Sequence, residues 1–339
     1  MELAFGRHFD HHGKGERYAA EREDCHWCQL RSFSTHRTIP ITIVNQVDSE
    51  VIPPNFRFIE SMVYRNGVEP AENNFRSGCD CKDDLECQYG GCHCLSDLLD
   101  EDDGDENVDT MTPNESEKLS RRRRYAYHLH GSKKGLMRSE MLDTKLPLYE
   151  CHESCSCSSN CPNRVVEQGR TVPLQIFRTL NRGWGVRATE NIQKGQFLDR
   201  YLGEVITSAE ADRRRAESAV SKRKDVYLFA LDKFSDPQSL DPRLRGPPLE
   251  VDGEFMSGPT RFINHSCDPN MRIFARVRDH ADKHIHDLAL FAIRAIPAME
   301  ELTFDYVDGR SDDLDLSQGD TSDMTRCLCG SKKCRKFLW

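Results

Sequence analysis

Residues Arg261–Asn270 read Arg-Phe-Ile-Asn-His-Ser-Cys-Asp-Pro-Asn. They place a guanidinium, an amide, an imidazole, a hydroxyl and a thiol in one short run. The apolar pair Phe262 and Ile263 splits Arg261 from Asn264, and Asp-Pro interrupts regular structure. Polar chemistry beside core-type residues suggests a ligand site. A polar turn with one chance cysteine is the alternative if the stretch is taken alone.

Cysteine supplies the second signal. Cys79, Cys81, Cys87, Cys92 and Cys94 form one group, and Cys151, Cys155, Cys157 and Cys161 another. Apart from His93 and His152 there are few other soft ligands nearby. Without a secretory signal, clustered thiols read as metal thiolates rather than disulfides. Tetrahedral zinc takes four ligands, and nine thiols do not divide by four. The count closes if three zinc ions share three bridging sulfurs. Two separate four-thiolate centres with a spare thiol are the alternative. Structural zinc contributes roughly 10–16 kcal/mol in small peptides, enough to fold a stretch with few large apolar side chains. Cys25 and Cys28 have no second pair at zinc-finger spacing and are read as ordinary thiols.

Several further groups offer chemistry. Arg182-Gly-Trp-Gly185 sets a flat ring between glycines, where backbone can approach a ligand closely; a glycine turn with a core tryptophan fits equally. Tyr201, Asp225 and Tyr227 add hydroxyls and a carboxylate near strand ends. Phe304-Asp-Tyr306 sets two aromatics on one strand face, a pattern that also suits a core.

The elements that must position these groups are mostly short strands. Ile39–Val47, Val172–Arg178, Trp184–Ala188, Phe197–Tyr201, Glu204–Ile206, Val226–Leu231, Leu249–Val251, Met271–Val277, Leu288–Ile293 and Leu302–Phe304 are β-branched or aromatic runs bounded by turn residues. One helix is expected over Ala211–Lys224, opened by the capping-box spacing of Thr207-Ser-Ala-Glu210. The fold class is therefore mainly β. The chain divides into an N-terminal segment packed on the core (1–74), a cysteine-rich module (75–165), a β domain (170–308), a flexible linker (309–325) and a cysteine-rich tail (326–339). Within the second part, residues 97–120 read as an acidic disordered insertion; Asp97–Asp109 alone holds eight acids and no base. Arg121–Arg124 is either a nuclear-import signal or a solvated run balancing those acids.

Composition narrows the partners. No run of 18 apolar residues implies a membrane span, and the N-terminus lacks a long apolar stretch of the secretory kind. A net charge of -9 argues against general or sequence-specific nucleic-acid binding and suits a basic peptide.

Taken together, the motifs resemble the SET-domain protein lysine methyltransferases. Arg182-Gly-Trp-Gly, Tyr201-Leu-Gly-Glu204, Arg261 through Asn270, and Glu301-Leu-Thr-Phe-Asp-Tyr306 stand in that family's order. The nine-cysteine group resembles its pre-SET module, and Cys327, Cys329 and Cys334 its post-SET module. The three modules together are similar to the suppressor-of-variegation class, and more narrowly to fungal heterochromatin enzymes without a chromodomain. The resemblance implies a SET fold of several small sheets with a threaded C-terminal segment, flanked by a three-zinc and a one-zinc module. It also implies methyl transfer from S-adenosylmethionine to lysine nine of histone H3, in the nucleus, on chromatin, in heterochromatin formation and gene silencing.

For the residues, the resemblance implies a donor site of Arg182, Gly183, Trp184, Asp225, Tyr227, Arg261, Asn264 and His265, approached by Leu328 and Trp339. Tyr306 and Tyr201 would orient the amine. Phe304, where the family holds Phe or Tyr, would leave room for two methyl groups already attached, so di- and trimethylation are expected. Three tail thiols leave a zinc one ligand short; Cys267, the fourth ligand in the family, is the one cysteine left besides Cys25 and Cys28. Asp232 is a candidate reader of a basic tail. Met299 departs from the family, which usually has glycine there; a positive φ would be disfavoured for Met.

Overall fold

A computed structural model describes residues 25–32, 39–89, 92–99, 125–217, 227–307 and 325–338. Asp225, Trp339 and the arginine run Arg121–Arg124 lie outside the described residues, as do most of the acidic insertion and of the linker. Among the described residues no helix is long and apolar enough to cross a membrane.

The strands among the described residues are β1 (Ile41–Val44), β2 (Arg57–Phe58), β3 (Val63–Tyr64), β4 (Leu148–Tyr149), β5 (Leu174–Arg178), β6 (Trp184–Ala188), β7 (Phe197–Tyr201), β8 (Glu204–Ile206), β9 (Leu228–Ala230), β10 (Glu250–Asp252), β11 (Met256–Ser257), β12 (Asn264–His265), β13 (Met271–Val277), β14 (Asp287–Ala292) and β15 (Thr303–Phe304). They form sheets ordered β1-β5-β6, β3-β8-β10-β9 and β4-β13-β14-β7, and the pairs β11-β2 and β12-β15. This is the mainly β fold that the strand and turn pattern predicts, in the several small sheets that the family resemblance implies. Every residue of β14 is buried, as a strand flanked by two neighbours and covered on both faces must be. The short strands β2, β3, β4, β11 and β12 carry too few residues for an alternating pattern to stand out.

Residues 41–64 of the N-terminal segment are built into the sheets. β1 runs parallel to β5, with Val44 opposite Phe177; β3 runs parallel to β8. Ile41, Ile52, Phe56 and Phe58 enter the same core as Val186, Tyr201, Ile263 and Phe304. The helix spans Ser208–Glu217, starting earlier than expected because Thr207 caps it: its hydroxyl accepts from Glu210 N–H at 3.3 Å. The remainder of the expected helix lies outside the described residues.

Two backbone positions bear on the site. Met299 adopts φ 68°, and its N–H still reaches Ala188 O at 2.8 Å. The turn that favours glycine thus forms with methionine, at a cost of roughly 1–2 kcal/mol. A Cβ on Gly185 would lie 2.9 Å from Glu301 Oε1, so only glycine lets that carboxylate close on β6.

Candidate functional site

The central stretch is held by what surrounds it. Phe262 and Ile263 are buried in the core, which turns Arg261 and Asn264 away from it. β12 pairs parallel with β15, His265 opposite Phe304. Asn270 completes the seam: its amide donates to Glu300 Oε1 at 3.0 Å and Glu301 O at 2.9 Å, and its Oδ1 accepts from Thr303 N–H at 2.8 Å. Residues far apart along the chain, 261–270 and 301–306, thereby become one surface.

On one side of this seam lies a cavity of about 520 Å³. Arg182, Gly183, Trp184, Tyr227, Arg261, Asn264, His265, Tyr306 and Leu328 all line it. The Asn264 amide donates to Trp184 O at 3.0 Å and Glu301 Oε1 at 2.8 Å, while Arg182 pairs with Glu301. Arg261 stacks on Tyr227, its guanidinium carbon 4.1 Å from the ring centre. His265 Nδ1 accepts from Tyr306 N–H at 3.1 Å. Burial pushes the His265 imidazole down to about 4, in keeping with that acceptor role.

On the other side is a cavity of about 680 Å³, lined by Phe229, Asp232, Met271–Ala275, His286, Phe304 and Tyr306. Tyr306 thus borders both cavities. Four rings surround the junction: Tyr201 lies 4.6 Å from Phe229, and Phe304 lies 5.8 Å from Phe229 and 4.8 Å from Tyr306. Tyr201 O–H donates to Tyr227 O at 3.0 Å, and Tyr306 O–H to Ile263 O at 2.7 Å. Burial raises both phenols above their ordinary range, so both remain protonated near neutrality.

Phe229 and Glu301 are members of this constellation that the sequence reading passed over. Phe229 lies two residues beyond Tyr227, on a strand whose faces the sequence cannot tell apart. Glu301 sits in the quoted Glu301–Tyr306 motif, yet its partners Arg182 and Asn264 are distant along the chain.

The cysteines gather in two places. A zinc–sulfur distance of about 2.3 Å sets the sulfurs of a tetrahedral site about 3.8 Å apart. In the larger group the spacings are 3.7 Å (Cys79–Cys87), 3.9 Å (Cys79–Cys151), 3.7 Å (Cys92–Cys151) and 3.4 Å (Cys94–Cys155). Sets of sulfurs within 4.8 Å of one another include Cys79/Cys81/Cys87/Cys92, Cys79/Cys92/Cys94/Cys151, Cys79/Cys151/Cys155/Cys157 and Cys87/Cys151/Cys157/Cys161. The sets overlap at Cys79, Cys87, Cys92, Cys151 and Cys157, as shared sulfurs require. Among the described residues, Leu95, Tyr149 and Val277 are the only other buried hydrophobic side chains of this cluster, too little apolar surface to hold nine thiols together unaided. Gly78 lets the halves meet, since a Cβ there would stand 2.3 Å from Ser154 O.

Cys267, Cys327, Cys329 and Cys334 form a further set within 4.8 Å, with Cys267 and Cys327 3.8 Å apart. The donor set of both places is all sulfur at tetrahedral spacing, which fits zinc. Arg335 fastens the tail through two 2.6 Å hydrogen bonds to Asp305. Leu328 and Leu338 thereby roof the smaller cavity.

Comparison with known proteins agrees with this arrangement. A pre-SET motif model matches residues 33–164 and a SET domain model residues 183–307; the pre-SET match takes in β1, β2 and β3. The chain is similar to the histone-lysine N-methyltransferase, H3 lysine-9 specific KMT1, of Fusarium mangiferae, at 66% identity over 342 residues, covering 100% of this chain and 99% of that protein. The solved structure of the Neurospora SET domain protein DIM-5, a histone lysine methyltransferase, superposes with a TM-score of 0.69 at 59% identity, covering 86% of this chain and 100% of that one. Arabidopsis thaliana SUVH6, solved in complex with SAM, has a TM-score of 0.63 at 27% identity, covering 96% of this chain and 60% of that one. The chain belongs to the SET-domain histone-lysine N-methyltransferases that carry a pre-SET module ahead of the SET domain.

Proposed function

We propose that this chain transfers methyl groups from S-adenosylmethionine to lysine nine of histone H3, through to the trimethyl state, on chromatin in the nucleus, where it serves heterochromatin formation and gene silencing. The observation that carries this reading is the pair of cavities that share Tyr306. A methyl transfer needs donor and acceptor to enter from opposite sides and meet in line. S-adenosylmethionine supplies an electrophilic methyl group on a positively charged sulfur.

Arg182, Gly183, Trp184, Tyr227, Arg261, Asn264 and His265 hold the donor in the smaller cavity, with Leu328 as its roof; Asp225 and Trp339 are further members of that site. Gly183, with φ 71°, turns the chain so that backbone faces the ligand. Aromatic faces and carbonyl oxygens suit a cationic sulfur.

The larger cavity takes the peptide. Among the described residues, β9 has a neighbour on one side only, and along β13 only Arg276 and Val277 pair with β4. Two free strand edges therefore face the cavity, ready to hold an extended segment by main-chain hydrogen bonds. Asp232 sets a carboxylate there for a basic tail. The target amine enters among Tyr201, Phe229, Phe304 and Tyr306. Lysine has an ordinary pKa of about 10.4, and withdrawal from water favours its neutral, nucleophilic form. Both tyrosine hydroxyls donate to carbonyls, so their oxygens are left to accept N–H from the amine. They aim its lone pair without acting as bases.

Cys79, Cys81, Cys87, Cys92, Cys94, Cys151, Cys155, Cys157 and Cys161 hold three zinc ions, and Cys267, Cys327, Cys329 and Cys334 a fourth. These ions fix the scaffold and the roof and take no part in the transfer.

Incubation with labelled S-adenosylmethionine and each core histone tests the assignment. Label is expected on histone H3 and not on H3 carrying arginine at position nine; equal labelling of that variant would overturn it.

A further inference from the structure

The smaller cavity is not made by the SET match alone. Glu50, Val51 and Pro53, on the loop that follows β1, line it opposite Arg178 and Trp184. That loop is fixed at both ends. Val44 pairs with Phe177, directly before Arg178, and Ile52 is buried in the main core.

Between those anchors Asp48 organises the loop. Its Oδ1 accepts from the Asn45 amide at 2.8 Å and from Glu50 N–H at 3.0 Å. Its Oδ2 accepts from Arg178 Nε at 2.8 Å. One carboxylate therefore gathers the loop with one oxygen and fastens it to β5 with the other. Arg178 in turn stands 5.7 Å from the centre of the Trp184 ring, so the fastening ends on the wall of the cavity. The Asn45 amide, with Arg178 and Glu50 N–H behind it, holds the Asp48 carboxyl below its usual range, and the latch stays charged at neutral pH.

We propose that residues 45–53, outside the SET domain match, are a wall of the methyl-donor site, and that Asp48 is a positioning residue that closes this wall through Arg178. This rests on the donor assignment above. Asp48 itself does not touch the donor; it sets the distance between the loop and the Arg178–Trp184 side. The pair is partly exposed, so its loss should be felt as a modest change in affinity rather than a collapse of the fold.

The test is the dissociation constant of S-adenosylmethionine by calorimetry on the full chain, with steady-state kinetics on an H3 peptide. Asp48→Ala should weaken donor binding about fivefold and raise the donor KM to match, with the peptide KM and the melting temperature unchanged. Arg178→Met should weaken donor binding by itself, and adding Asp48→Ala to it should weaken binding little further, because both act through one contact. Unchanged donor affinity in Asp48→Ala, equal rises in both KM values, or fully additive losses in the double variant would each overturn the proposal. Failure of the unaltered chain to bind S-adenosylmethionine would instead remove the donor assignment beneath it.

Discussion

Phe304, at the end of β15, and Tyr306, in the turn that follows it, meet the same cavity, yet they have different consequences. Phe304 is fully buried, against Phe229 and Tyr306, and offers no hydrogen bond, so space beside it is free for methyl groups. Phe304→Tyr adds a hydroxyl that fills that space. Its product, analysed by mass spectrometry, should be mainly monomethyl-lysine; spectra still dominated by the trimethyl form would discard the steric account. Tyr306 does not set the pH dependence. Burial raises its phenol above the ordinary tyrosine range, so it stays protonated as pH rises through 10. The titrating group below that pH is then the substrate amine, whose neutral fraction grows about tenfold per pH unit below about 10.4. Single-turnover rates should climb from pH 7 to 10. A plateau beginning near neutrality, or a fall before pH 10, would contradict this.

Among the elements, the tail meets the SET domain through a four-sulfur set. Residues 325–338 contain one isolated bridge, Arg326 to Phe337, and few buried side chains. Their attachment rests on the four-sulfur set, on the Arg335–Asp305 pair and on the exposed Lys333–Asp268 pair. Cys334→Ser removes one ligand from the set that includes Cys267. We expect bound zinc, measured by elemental analysis, to fall from four ions to three and donor affinity to drop at least tenfold. The nine-cysteine cluster and the circular dichroism spectrum should be unaffected. Full zinc content with normal donor binding in this variant would mean that the roof is held some other way. The turn at Met299 makes a related point at the same scale. Its φ of 68° is imposed by the pairing of the flanking chain, which shows tertiary contacts overruling a local preference.

At the scale of the whole molecule, a single buried cation joins the pre-SET module to the SET domain. Arg276, on β13, is fully buried. It donates to Glu150 at 3.1 Å and Glu167 at 2.8 Å on one side and to Asp287 at 2.9 Å on the other. Asp287 begins β14, whose next residue, Leu288, pairs with Tyr201. The zinc module is thereby coupled to a strand of the site through three carboxylates. Removing the cation leaves Glu150 with only neutral donors, Tyr127 O–H and backbone N–H groups, and Asp287 and Glu167 with the longer Arg200 and Arg278 pairs; breaking such a buried pair typically costs about 3–5 kcal/mol. Arg276→Met should lower unfolding stability by that amount in denaturant titration, and a loss under 1 kcal/mol would show that water reaches the cluster.

Much of this was legible before any coordinates. Strands such as Trp184–Ala188, Phe197–Tyr201 and Met271–Val277 announce themselves by β-branched and aromatic runs between turns. The cysteines announce themselves by number and spacing, because tetrahedral metal sites need thiols clustered in this way. Residue types alone put Arg261–Asn270 at the centre. What the sequence could not supply was contact. Phe229 became part of the aromatic ring only when β9 was laid beside Tyr201. Glu301 found Arg182 and Asn264 only when β15 paired with β12, and the loop 45–53 reached the donor cavity only because β1 joined β5. A local pattern specifies which face or turn a residue occupies. Which distant residue it meets is decided by sheet register and core packing, and those are set by the whole chain at once.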